Sequence, residues 1–353
     1  MDLRDSICEE IFGKHLSRAI QNQDIQEPFL SILEAILEDI HNNFLKDLGL
    51  DVYKIQDGTI IREYYKKYSS YHMANFHLIQ AIKILFEKGI ILREYEDSPI
   101  ELSIKNKELL LDVLTITNPL VYSNLYEVIN ILGIVDFSRI REKRLESNLF
   151  EINIIMEEIE KTIEEGEEAK KKLKEKLKEI LNFLIRKKYI SLPNNIKSKF
   201  IKQYVEILEL IIPPLLLRKK FASKSTLFII KQVFGQNLLP EVFALSKSIK
   251  LGLYSIPKIC IIKKDEFEIA EFDILTLLDD SKCMLVEITL RKNIENKINK
   301  ITHALEELRQ YFHWMEFYPL LIGLKRDDEI PFINFEEFFN MNNKNNLLER
   351  VIK

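Results

Sequence analysis

Two acidic strings, Glu271-Phe272-Asp273-Ile274-Leu275 and Val286-Glu287-Ile288-Thr289-Leu290, set carboxylates inside runs that otherwise read as buried β-strand. An ionised carboxylate taken out of water is costly unless it is paired or holds a metal. Glu271 and Asp273 lie two apart and so point to one side of a strand, and a hairpin turn at Asp279-Asp280-Ser281-Lys282 brings Glu287 alongside. Packed without a cation, such groups repel and raise one another's pKa. A hard divalent ion such as Mg²⁺ or Mn²⁺, held through one or two carboxylates plus water and phosphate oxygens, removes that conflict. It would also lower the pKa of an attacking water and neutralise charge on a phosphorane-like transition state, which makes phosphodiester hydrolysis the natural reaction.

The elements that must position these groups can be read from periodicity. Leu238 to Ile249 reads as a helix with Glu241 at its start, followed by strands at Ile256–Ile262, Glu268–Leu278 and Cys283–Leu290. An amphipathic helix with Ile294, Ile298, Ile301, Leu305 and Leu308 on one face comes next, and Leu320 to Leu324 forms a last strand. The order is α-β-β-β-α-β.

That order, with Glu241 on the first helix, Asp273 on the second strand and Glu287 on the third, resembles the PD-(D/E)xK nuclease superfamily over Phe234 to Leu324. The resemblance implies a restriction-endonuclease-like fold with a central mixed sheet. It also implies a Mg²⁺ or Mn²⁺ ion on Glu241, Asp273, Glu287 and Ile288, with Asp273 and Glu287 catalytic. One position departs from the family pattern: Thr289 stands where the motif has lysine, and a hydroxyl cannot supply that positive charge. Three nearby cations are candidates to replace it. Arg291 shares the strand face of Glu287 and Thr289, while Lys297 and Lys300 sit on the first turns of the following helix. The helix lysines are preferred, because a flexible ammonium can reach a bound phosphate. The bland alternatives are an ion pair of Asp273 or Glu287 with Lys258 or Arg291, and a Glu241 that serves only the helix dipole. His303 and His313 read as helix-surface or packing residues.

The chain before this region is helical. Phe29, Ile32, Leu33, Ile36, Leu37 and Ile40 recur on one helix face, and a second helix through Phe76, Ile79, Ile82 and Leu85 stops at Gly89. Strands at Ile90–Tyr95 and Ile100–Ile104 flank the turn Glu96-Asp97-Ser98-Pro99. This helix-to-hairpin passage resembles the second half of a winged-helix DNA-binding domain. It implies groove contacts from His72, Asn75, His77, Gln80 and Lys83, with Arg93 on the wing. From Glu151 to Lys187 a narrow apolar stripe through Ile152, Ile155, Ile159, Ile163, Ala169, Leu173, Leu177, Ile180 and Leu184 suits a coiled-coil seam, as one helix or as a hairpin broken at Gly166. Lys170-Lys171-Lys172 reads as a solvated face.

Composition sets the outer limits. The 353 residues are 46% hydrophobic and carry a net charge of -4, so there is ample core for several domains and no global basic field. Cys8, Cys260 and Cys283 lack metal-ligand spacing. No leader is evident after Met1, and the longest apolar stretch, Ile207 to Leu217, is broken by Pro213-Pro214 and falls short of the ~20 residues of a membrane span. A kinked helix end is expected there, in a cytoplasmic protein with no membrane partner.

The expectation is therefore a multidomain α+β protein. Residues 1–145 form a helical, winged-helix-like region that binds nucleic acid or a partner, 146–225 a coiled-coil-like helical linker, and 226–353 a nuclease domain. The function expected is a metal-dependent DNA endonuclease in defence or restriction, acting as a homodimer, with RNA left open as substrate. The rival is an inactive winged-helix DNA-binding or assembly protein that retains a nuclease-like domain.

Overall fold

The computed structural model describes residues 100–104, 107–121, 145–165, 169–222, 238–263, 268–279, 281–289, 294–324 and 330–352, with a few isolated positions between them. Among these, a six-stranded mixed sheet is built from β1 (Ile100–Ile104), β2 (Tyr254–Lys263), β3 (Glu268–Asp279), β4 (Lys282–Thr289), β5 (Glu316–Gly323) and β6 (Phe332–Asn334), in that spatial order. The first three pairings are antiparallel and the last two parallel. The helices are α1 (Lys107–Leu120), α2 (Leu149–Glu164), α3 (Lys170–Arg186), α4 (Lys197–Ala222), α5 (Leu238–Lys250), α6 (Glu295–Tyr311), α7 (Phe335–Asn340) and α8 (Lys344–Val351). The protein is thus of the α+β class, and the expected α-β-β-β-α-β order is present as α5-β2-β3-β4-α6-β5.

The central strands are apolar for a structural reason. Residues 272–278 of β3 and 283–289 of β4 are buried without interruption. Because successive side chains point to opposite faces, both faces of these strands are covered, and a continuous Ile, Leu and Val run replaces alternation. Helices α5 and α6 pack on this region. Helix α5 ends at Gly252, whose φ of 74° is the left-handed conformation that closes a helix, with the Leu253 N–H donating to Ser248 O at 3.0 Å. That turn sends the chain directly into β2 and fixes α5, with Glu241 in its first turn, against the sheet.

Parallel pairing of β4 with β5 requires a crossover, and α6 supplies it. At the end of this pair Thr289 faces Gly323, where an added Cβ would lie 3.0 Å from Thr289 O. A side chain there would press on the backbone, so glycine lets the two strands approach beside the site.

Two sequence expectations take a different form in the structure, and one open alternative is decided. Strand Ile100–Ile104, read as part of a wing, pairs with β2 and is the outermost strand of the C-terminal sheet among the described residues, with Ile100 opposite Lys263 and Ile104 opposite Ile259. Helix α1 follows it and packs on α4 and α5, so residues 100–120 join the later part of the chain. The stretch 151–187, for which the sequence left one helix or a hairpin open, is a hairpin of α2 and α3. Its stripe residues Ile152, Ile155, Ile159, Leu177, Ile180 and Leu184 are buried within the single chain, because α4 closes over α3. Finally, α4 continues as helix through Pro213 and Pro214 instead of stopping. Each proline removes one helix hydrogen bond. Burial of Ile211, Ile212, Leu215 and Leu216 offsets that loss and keeps the helix intact.

Lys170, Lys171 and Lys172 are exposed, as expected of a solvated face. No helix among the described residues is long and apolar enough to cross a membrane. The expected groove-reading residues Asn75, Gln80, Lys83 and Arg93 lie outside the described residues, as do His72 and His77; Ala81 between them is helical and buried.

Intramolecular burial of the α2–α3 stripe is testable. Leu177→Ala should lower unfolding stability by about 2–5 kcal/mol, whereas Lys178→Ala on the exposed face should stay within about 0.5 kcal/mol of the parent. In urea titrations the Leu177→Ala loss should be independent of protein concentration, as a seam between two chains would not be.

Candidate functional site

The site forms where the sheet forks. β3 and β4 are in register from Leu277 opposite Cys283 to Ile274 opposite Val286, and the recorded pairing ends there. Beyond that point β3 continues against β2, with Phe272 opposite Ile259, while β4 continues against β5, with Glu287 opposite Leu321 and Ile288 opposite Ile322. The next pair across the gap is Asp273 and Glu287. The Ile288 N–H donates to Asp273 Oδ2 at 2.7 Å, so the carboxylate occupies the place of a ladder acceptor where the strands separate. A buried N–H left unpaired would cost free energy, and Asp273 prevents that.

Asp273 and Glu287 are both buried, with side chains only 9% and 8% exposed. Their compensation comes from Lys297, in the first turn of α6. Its Nζ forms an ion pair with Glu287 Oε2, donates to Ile288 O at 3.3 Å and lies 3.8 Å from Asp273 Oδ2. The Lys297 side chain keeps 36% of its surface exposed, so the cluster opens towards solvent through the lysine.

The electrostatics follow from this crowding. Burial pushes the Glu287 carboxyl up to about 8, the negative charge of Asp273 adds to the rise, and the Lys297 ammonium pulls against it. For Lys297, burial disfavours its charge, but the combined fields of Asp273 and Glu287, with a further contribution from Glu241, outweigh burial and raise its pKa. Glu241 itself is buried in the first turn of α5, close enough for its charge to act on Lys297.

The expected site residues divide clearly. Asp273, Glu287, the Ile288 main chain and Lys297 come together, and Glu241 adds to the field at Lys297. Lys300 is exposed on α6 one turn further along. Arg291 lies outside the described residues. Glu271 is half-buried on β3, and His303 and His313 are exposed. Thr289 is buried against Gly323. Among the described residues the ion-pair partner of Asp273 and Glu287 is Lys297; of the two partners weighed from the sequence, Arg291 and the side chain of Lys258 lie outside the described residues. The role of the Ile288 N–H in holding Asp273 has no signal in the sequence, since it arises from the divergence of two strands.

The donor chemistry fits a hard divalent cation. Two adjacent carboxylates and the Ile288 carbonyl are all oxygen donors, and Mg²⁺ characteristically takes one or two carboxylates and completes its shell with water and phosphate. Among the described residues no group of three His, Cys, Asp or Glu side chains is arranged to hold a metal. Comparison of the chain with protein-family profiles, with curated proteins and with solved structures gave no match.

A pH experiment probes the cluster directly. In chelator, below about pH 4.5 the Glu287 carboxyl is protonated in both folded and unfolded chains and contributes no slope. Between pH 4.5 and about 8 the folded protein holds a proton that the unfolded chain has lost, so this group makes stability fall as pH rises. Urea unfolding across that range should give a steeper decline for the parent than for Glu287→Gln, which has nothing to ionise.

Proposed function

We propose that this protein is a metal-dependent nuclease that hydrolyses phosphodiester bonds, with an active site resembling that of the PD-(D/E)xK superfamily. The observation that carries the reading is the delivery of Lys297 Nζ from α6 onto Glu287, Asp273 and Ile288 O. Thr289 removes the positive charge from the usual strand position, and Lys297 restores one to the same carboxylates. A lysine serving stability alone would be an inefficient choice, since buried ion pairs often contribute no more than apolar residues of equal volume.

Asp273, Glu287 and the Ile288 carbonyl would hold Mg²⁺ or Mn²⁺, and the bound ion would lower the pKa of an attacking water and polarise the phosphate. Asp273 is kept in place for this by the Ile288 N–H. Glu287 must give up its proton to serve as a ligand, which ties activity to pH. Lys297 offers its ammonium to the phosphate oxygens that gain charge as water adds to phosphorus and the bond to the leaving oxygen breaks. Glu241 tunes the field of Lys297 from α5. The substrate proposed is DNA, on the resemblance of the helix through Phe76, Ile79, Ile82 and Leu85 to the groove-reading helix of a winged helix, although the expected second wing strand is β1 of the sheet, and a homodimer would give the two sites that duplex cleavage needs.

Plasmid DNA incubated with Mg²⁺ or Mn²⁺ should be nicked or linearised. Asp273→Ala should abolish turnover, Lys297→Ala should reduce it by about 10²–10³-fold, as removal of a transition-state charge does, and Lys300→Ala should leave it within a few-fold. Salt-sensitive DNA binding without metal-dependent turnover would instead favour the inactive DNA-binding or assembly protein.

A further inference from the structure

Lys297 contacts all three of the groups proposed to hold the cation. Nζ is paired with Glu287 Oε2, hydrogen-bonded to Ile288 O at 3.3 Å and 3.8 Å from Asp273 Oδ2. A Mg²⁺ ion needs its ligand oxygens at about 2.0–2.1 Å in a near-octahedral shell. An ammonium engaged with the same donors occupies the space and the charge complement that such an ion requires. With the ammonium already on these groups, an ion that loads the site competes with Lys297 for them.

We infer that Lys297 is a resident counter-ion that holds the cation position in the metal-free protein and is displaced when a divalent ion binds. The inference rests on the nuclease reading for its cation, and assigns the lysine two places in one cycle. In the first, its ammonium compensates Asp273 and engages the Glu287 and Ile288 oxygens. In the second, the divalent ion takes over those carboxylates and the side chain turns towards its exposed side, where a phosphate would arrive. The anatomy of α6 suits this exchange. Lys297 is anchored by its backbone in the first helical turn, with its N–H donating to Ile294 O at 2.9 Å, while its side chain is 36% exposed. The helix can therefore stay seated through Ile294, Ile298 and Ile301, all buried, as the side chain moves. Site loading and catalytic charge would then be coupled, because the ammonium becomes available to substrate only once a divalent ion has replaced it.

The experiment compares the full-length parent, Lys297→Met and Lys300→Met by calorimetric titration with Mn²⁺ and with Ca²⁺, in the absence of nucleic acid. Met keeps the length of the side chain and removes its charge, and Lys300→Met removes one charge from the same helix at a position exposed to solvent. Folding of each variant is checked by urea unfolding in chelator. Displacement predicts at least tenfold tighter ion binding for Lys297→Met and a change of less than about threefold for Lys300→Met, since exposed charges are screened by salt. It also predicts that acylation of the Lys297 amine in the parent, read by peptide mass, rises when Ca²⁺ is added. Equal tightening in both variants, or no tightening in Lys297→Met, would overturn the displacement while leaving the cation site in place. No ion binding by parent or variants at millimolar concentration would overturn the cation site, and the displacement with it.

Discussion

Two carboxylates side by side in the interior of a sheet must be compensated, and much of the C-terminal architecture answers to that requirement. Asp273 and Glu287 lie on strands whose both faces are covered, so water cannot supply the compensation. A buried ion left without its partner costs about 3–5 kcal/mol. The sheet meets this by forking between β3 and β4, which frees the Ile288 N–H for Asp273, and by aiming the first turn of α6 at the gap, which delivers Lys297. The crossover that makes β4 and β5 parallel is thus also the element that brings the cation.

The surrounding packing holds that geometry. Gly252 turns α5 into β2 and seats Glu241 under the influence of the cluster, while Gly323 admits β5 close to Thr289. On the far edge β1 adds a strand to β2, and α1 ties that strand to α4 and α5. The helical layer of α2, α3 and α4 is closed on itself through Leu177, Ile180, Leu184 and Leu208. An interaction seam was the natural reading of that narrow stripe. A third helix from the same chain, α4, covers it instead.

Much of the fold was legible where hydrophobic period and turn chemistry agree. The α-β-β-β-α-β order, the pair Asp273 and Glu287, and a lysine from the next helix could all be read from residue types and spacing. Register beyond the hairpin could not, because local pattern does not say where two strands part. The same limit applied to Ile100–Ile104, whose alternation suits a wing or a sheet edge equally; only the arrival of β2 from more than 150 residues later settles its partner. Lys300 was as good as Lys297 by residue type and element. Their separation depends on helix phase, which places Lys297 over the fork and Lys300 in solvent.

By itself the sequence determined that carboxylates would be carried into buried strands and that a helix bearing cations would follow them. Those are local properties of apolar runs, turns and helical period. Tertiary structure decided which cation meets which carboxylate, and that Glu287 holds its proton up to about pH 8. The physical reason is distance: Coulomb and desolvation energies change steeply over a few ångströms, and those separations exist only once α6 has docked across the fork of the sheet.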